Sequence, residues 1–267
     1  MLASLCFIQA ICMIWQFSFS GSDVRHYLMG TMHLASREAF TFADTALSLL
    51  KECHVFAAEM DIHQLESAQM DYTLPEGLTL SQLLGEKKYA KIGRVLHRSF
   101  GIAWPSYDKS LPFFISSMLS IKCANVSFPY TLDQYLWRAA KAGSMSLFGL
   151  ESIENQKEVL HAIPLSFQLK ELQTIARNVG AFRHRTHVLQ QLYARNDVHL
   201  LYQQTRKYTG AIRKCMLHER NERMGNEILR LSSSNAMFVA VGASHLGGDI
   251  GLLAFLKKRG AKVVQLT

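Results

Sequence analysis

"YLMGTMHL" (Tyr27–Leu34) and "VAVGASHL" (Val239–Leu246) carry one pattern near opposite ends of the chain: an apolar run, a glycine, two small or medium residues, a histidine and a leucine. Short apolar runs that stop at a glycine read as buried strands. A helix-like segment follows each run, so each histidine falls where a strand ends and a helix begins. In parallel α/β sheets the carboxyl ends of the strands form the ligand crevice. Two such ends in one sheet would bring His33 and His245 together. Gly30 and Gly242 would let the backbone turn sharply, or approach a ligand where a side chain would clash.

Working outward, "IWQFSFS" and "VRHYLMG" form a hairpin pattern with "GSD" (Gly21–Asp23) as the turn. "SREAFTFADTALSLLKEC" has helical spacing with Ser36 as its N-cap, and "HVFAAEM" (His54–Met60) reads as a buried strand. Strand, helix and strand in that order predict a parallel βαβ unit. "AMFVAVGASH", "GGDIGLLAFLKKRG" and "AKVVQL" predict a second one at the other end. The stretch between is mainly helical. One helix is expected from a Thr79 cap to Gly101, another with Pro112 in its first turn, where the missing N–H does no harm, and another from a Thr131 cap to Gly143. "MSLFGLE" is a short strand, with Ser152 capping the next helix. The expectation is an α/β (α+β) fold in a single domain over residues 1–267. Its central sheet has two similar βαβ halves, 1–60 and 231–267. A large helical middle insertion, 61–230, holds a short strand near 146–150.

Composition narrows the function classes. The chain has 267 residues, 49% hydrophobic and 19% charged, enough to bury a core. The net charge is +8, but Lys and Arg are scattered and no nucleic-acid motif stands out, so nucleic acid is not an expected partner. The five cysteines form no C-x-x-C pair, which argues against a zinc ribbon or a dense disulfide framework. No G-x-S-x-G, H-E-x-x-H, Walker A or G-x-G-x-x-G is present. Met1–Phe19 is apolar, yet no Lys or Arg precedes Arg25, so it lacks the positive start of a secretory signal, and it is short for a spanning helix. A weak signal and a buried first strand both stay open, and with them a cytoplasmic or cell-envelope location and any membrane association.

Glu59 closes the apolar run "CHVFAAEM". A carboxylate there is costly unless paired or bound to metal. Either a loop already begins and Glu59 is half exposed, or it is a metal ligand or general base. His33, Glu59 and His245 make a two-histidine, one-carboxylate set, which suits zinc, manganese, cobalt or iron. Glu151 is another strand-end carboxylate. Arg220, in "LHERNERMG", fits either a solvated helix with i,i+4 pairs or a cation that polarises a carbonyl. Asp133, in "TLDQYL", reads as a first-turn acid favoured by the helix dipole. His184 and His187 read as a solvated helix face, and His161, His199 and His218 as structural.

The chain resembles the TraB/GumN family, whose animal relatives are the Tiki proteases. The resemblance rests on "IWQFSFSGSDVRHYLMGTMHL", "CHVFAAEMD", "LDQYLWRAAKAGSMSLFGLESIENQ", "LHERNERM" and "FVAVGASHLGGDIGLLAFLKKRGAKVVQL". It implies an erythromycin-esterase/ChaN-like architecture. It also implies a metal-dependent hydrolase of peptidase type with a divalent metal, manganese or cobalt before zinc or iron. The implied ligands are His33, Glu59 and His245, with Glu59, Glu151 and Arg220 as catalytic candidates. The implied substrate is a peptide or a small carbonyl compound. The family also includes pheromone-shutdown proteins, which implies an alternative: a non-catalytic peptide-binding regulator. The chain departs from many relatives at Met224, where they carry Trp, and in lacking a clear export signal.

Overall fold

A computed structural model describes residues 12–67, 71–232 and 235–267. The question of a signal or a strand at Met1–Ile11, Cys6 included, lies outside the described residues. From there the chain forms β1 (Ile14–Phe19) and β2 (His26–Thr31), an antiparallel hairpin that sets Ile14 opposite Met29 and Trp15 opposite Leu28. Gly21 takes the positive φ of the turn, 81°.

α1 (Ala43–Leu50) then leads to β3 (Val55–Met60). The helix starts well after Ser36. Residues 36–42 form turns, and the Ser36 hydroxyl accepts from the Ala39 amide at 3.4 Å without launching a helix. Phe40 and Phe42 explain the delay: Phe40 stacks on Phe128 at 4.0 Å and Phe42 meets Tyr193 edge-on at 5.9 Å, so tertiary aromatic packing sets this segment.

The helical middle comprises α2 (Ile62–Ser67), α3 (Leu80–Leu84), α4 (Glu86–Phe100), α5 (Pro112–Lys122) and α6 (Leu132–Ala142). Beyond β4 (Ser146–Glu151) come α7 (Ile153–Ala162), α8 (Leu165–Arg177), α9 (Val179–Ala194), α10 (Val198–Thr209) and α11 (Glu219–Leu231). The chain closes with β5 (Met237–Gly242), α12 (Leu252–Lys258) and β6 (Ala261–Gln265). Thr79, Thr131 and Ser152 each make a capping box, in which cap and third residue satisfy each other's backbone amides. The single helix expected from Thr79 to Gly101 is two, because Gly85 leaves helical geometry at φ 75°.

The class is mixed α/β around a six-stranded sheet of order β4-β3-β5-β2-β1-β6. The two end units interleave: β5 inserts between β2 and β3, and β6 crosses to the far edge beside β1. β4, β3, β5 and β2 run parallel, so four carboxyl ends share one edge. Thr31 pairs with Gly242 and Met60 with Glu151 at that edge. β2 and β5 are buried at every position, as expected for central strands covered on both faces. Edge strand β6 alternates between buried or half-buried and exposed residues.

Phe56, Phe238 and Trp137 anchor the main core, and removing one such ring costs about 3–5 kcal/mol. A second core, including Leu80, Leu96, Trp104, Ile115 and Leu172, binds α3, α4, α5 and α8 together. Among the described residues no helix is long and apolar enough to cross a membrane, and the four described cysteines are free.

Candidate functional site

The parallel strand ends bring the two glycine–histidine motifs side by side. Gly30 packs against the other motif: a Cβ there would lie 2.7 Å from Leu246 Cδ1 and 3.0 Å from Ala243 Cβ. Gly242 does something different. A Cβ there would lie 3.3 Å from Glu59 Oε2, 3.5 Å from His245 Cδ2 and 3.7 Å from His33 Nε2. The three side chains singled out as ligands thus converge on one small space that glycine keeps open. Glu59 Oε2 stands 3.7 Å from His33 Nε2 and 4.0 Å from His245 Nε2, and it accepts the Gly242 amide at 3.1 Å.

Each histidine is oriented from behind. His33 Nδ1 bonds Asp133 Oδ2 at 3.0 Å, and the Thr31 hydroxyl donates to the other Asp133 oxygen at 2.6 Å. His245 Nδ1 lies 2.6 Å from Asn221 Oδ1, while the Asn221 amide nitrogen donates to the Ile250 carbonyl at 2.7 Å. That second bond fixes which way the amide faces, so His245 donates from Nδ1 and keeps a lone pair on Nε2. The two holders differ in charge. Asp133 raises the His33 imidazole well above its ordinary range, against the desolvation of its surroundings. With 60% of that side chain open to solvent, screening softens the effect. Burial lowers His245 to about 4, which keeps it neutral at pH 7.

Behind the histidines lies a buried charge cluster. Arg220 Nη2 donates to Glu59 Oε1 in a short contact and to Glu151 Oε2 at 2.5 Å. Arg220 Nε donates to the same Glu151 carboxylate at 2.9 and 3.2 Å. Gln156 and Arg223 complete the surroundings of Glu151 at 2.9 and 3.4 Å. Burial pushes the Glu59 carboxyl up, but Arg220, His33 and His245 overcome that and hold it well below the usual carboxylate range. The two glutamates keep Arg220 charged despite its own burial. A π-helical turn, Lys214–His218, directly precedes α11, the helix that carries Arg220 and Asn221.

The site forms one end of a pocket of about 690 Å³, where His33, Glu59, Arg220, Gly242 and His245 meet walls such as Val159, Leu189 and Met216. Glu151 does not line it; its side chain is enclosed behind Arg220. Met224 is buried in the main core, away from the pocket. His184 and His187 are exposed on α9. Two residues gain a role over their reading in sequence. Asp133 is a buried partner of His33 as well as a first-turn acid, and Asn221 holds His245. Thr31 gave a signal for Asp133, because a polar residue ending a fully buried strand needs a partner.

Both imidazoles give Nδ1 to a protein partner and turn Nε2 toward Glu59, and histidines that bind metal are usually held in this way by the ring nitrogen facing away from it. The spacing is wider than a bound site requires. Among the described residues no group of three or more His, Cys, Asp or Glu side chains is close enough to hold a metal ion. Of the three side chains His33 has the most room to shift, at 60% exposed against 11% for Glu59 and 5% for His245.

A sequence model of the TraB/PrgY/gumN family matches residues 13–265, nearly the whole chain. No curated protein and no solved structure matches.

Proposed function

The chain belongs to the TraB/PrgY/gumN family, and from that premise we propose that it is a metal-dependent hydrolase acting on a peptide or a small carbonyl compound. One observation carries the reading. His33 Nε2, His245 and Glu59 Oε2 face one space beside Gly242, at the end of a large, mostly apolar pocket. His33, His245 and Glu59 would hold a divalent cation, manganese or cobalt before zinc or iron, and the cation would supply Lewis acidity and a water of lowered pKa.

The chain's own groups do the rest. Glu59 stays ionised, so it serves better as a ligand than as a proton carrier. Asn221 holds His245 in the neutral tautomer that leaves Nε2 free, and Asp133 holds His33 by Nδ1 so that its Nε2, once its proton is displaced, faces the same space. Arg220 lines the pocket, and among the described residues its Nη1 takes no hydrogen bond, so that edge is placed to donate to oxygen charge developing on a substrate carbonyl. Glu151 is a positioning residue in this reading: it fixes Arg220 and does not reach the substrate.

A second reading has its own support. The wide spacing and the pairing of Glu59 with Arg220 suit a peptide-binding regulator whose site needs no metal. Incubation with a peptide library and Mn²⁺, Co²⁺ or Zn²⁺, followed by mass spectrometry, separates the two. Cleavage that disappears in His33→Ala and in His245→Ala supports the hydrolase. Peptides that bind and are recovered intact with every cation reject it and favour the regulator.

A further inference from the structure

The pocket extends from the histidines along α9. Thr186 and Leu189 line it, and Tyr193, further along the same helix, donates to the Gly30 carbonyl at 2.9 Å. Arg185 lines the pocket too, and at 1.5 Å per residue it stands about 12 Å along α9 from Tyr193. Among the described residues around this pocket, it is the one charged side chain away from the His33, Glu59, Arg220 and His245 cluster.

Its guanidinium is held on several sides. Nη2 donates to Glu171 Oε1 at 2.9 Å, and the group lies 4.4 Å from the Tyr208 ring centre and 5.1 Å from that of Phe182. Glu171 lines a smaller adjoining cavity of about 200 Å³ and not the larger pocket, whereas Arg185 faces both spaces. The carboxylate therefore backs the cation from the far side. Among the described residues Nε and Nη1 donate to no protein acceptor. A stacked guanidinium with free donors in an apolar wall suits a carboxylate, which it can engage with two parallel bonds.

We propose that Arg185 registers the substrate by binding a carboxylate in the part of the pocket away from the bond presented to His33, Glu59 and His245. This rests on the reading of the pocket as a peptide site. The carboxylate is either a free C-terminus or an acidic side chain near the end.

Fluorescence anisotropy tests it without requiring turnover. The probes are short labelled apolar peptides in three forms: free acid, C-terminal amide, and amide with a glutamate as last residue. Wild type should bind the free acid about tenfold tighter than the plain amide, and Arg185→Gln should erase the difference. If the glutamate peptide matches the free acid, any carboxylate is read; if it matches the plain amide, the C-terminus is. Equal affinity of wild type for all three forms overturns the proposal, as does a preference that survives in Arg185→Gln. Absence of binding by every form overturns it together with the peptide reading. A Mn²⁺ titration of the same sample reports separately on the histidine site.

Discussion

Replacing Gly242 with alanine separates the stability of the fold from the capacity of the site. Gly242 sits at φ −52°, ψ 130°, a conformation open to any residue. Alanine restricts the unfolded chain and should by itself stabilise by about 0.4–1 kcal/mol. Against that, the new methyl lies 3.3 Å from Glu59 Oε2, so that oxygen must move by a few tenths of an ångström. The two effects nearly cancel, and the variant should melt close to wild type. The space between Glu59, His33 and His245 is another matter, because the methyl occupies it. Crowding that space should weaken Mn²⁺ binding by up to about 10²-fold, the upper end of what disturbing the supports of a metal site costs. At a Mn²⁺ concentration of about 100 times the wild-type Kd, wild type gains about 2.7 kcal/mol and the variant about 0.4 kcal/mol. For a chain of this size those gains correspond to roughly 5–11 °C and roughly 1 °C in melting temperature. Differential scanning fluorimetry with and without Mn²⁺ reads both. Gly30→Ala is the contrast: its methyl strikes Leu246 and Ala243, so it should lower the melting temperature even without metal. A Gly242→Ala protein that keeps the full Mn²⁺ shift would refute the idea that the guest sits where the three side chains converge. One that melts far below wild type without metal would show that Gly242 serves the backbone instead.

Arg220→Met leaves Glu59 and Glu151 buried without their shared cation, and it should cost about 3–5 kcal/mol in urea unfolding; a loss under 1 kcal/mol would remove the cluster from the account. Asp133→Asn keeps the size of the side chain but not its charge, and it should weaken Mn²⁺ binding by about 10- to 100-fold in calorimetry while the circular dichroism spectrum is unchanged. His26 is buried against Phe17 at 4.9 Å with no partner for Nδ1 among the described residues, and burial lowers its pKa. The unfolded chain therefore takes up the proton first as pH falls, so this residue's contribution is intact above about pH 6.5, the unfolded value, and is lost below it. His26→Phe should flatten the decline in stability between pH 7 and 5, and an unchanged slope would show that other groups set it.

Much of the site was legible because strand exits announce themselves locally. Apolar runs ending in Gly30 and Gly242 can be read without knowing the partner strand, as can a glutamate closing β3. The caps at Thr79, Thr131 and Ser152 were legible for the same reason, since donor and acceptor lie three residues apart. Ser36 has the same chemistry, yet the rings of Phe40 and Phe42 are claimed by Phe128 and Tyr193, partners distant in sequence. The insertion of β5 between β2 and β3 is likewise non-local, and nothing in either strand specifies its neighbour. Asp133 and Asn221 stayed hidden because their roles depend on how α6 and α11 are aimed at the sheet edge. A first-turn acid and a polar helix residue look alike in sequence whether they face solvent or a histidine.

Elemental analysis of protein purified without chelator, comparing wild type with the His33→Ala/His245→Ala double variant, tests the central claim most directly. The account predicts about one Mn, Co, Zn or Fe per wild-type chain and loss of that metal from a double variant that still folds. Wild type without metal, even after loading with each cation in turn, would contradict it, as would a double variant that retains the full complement.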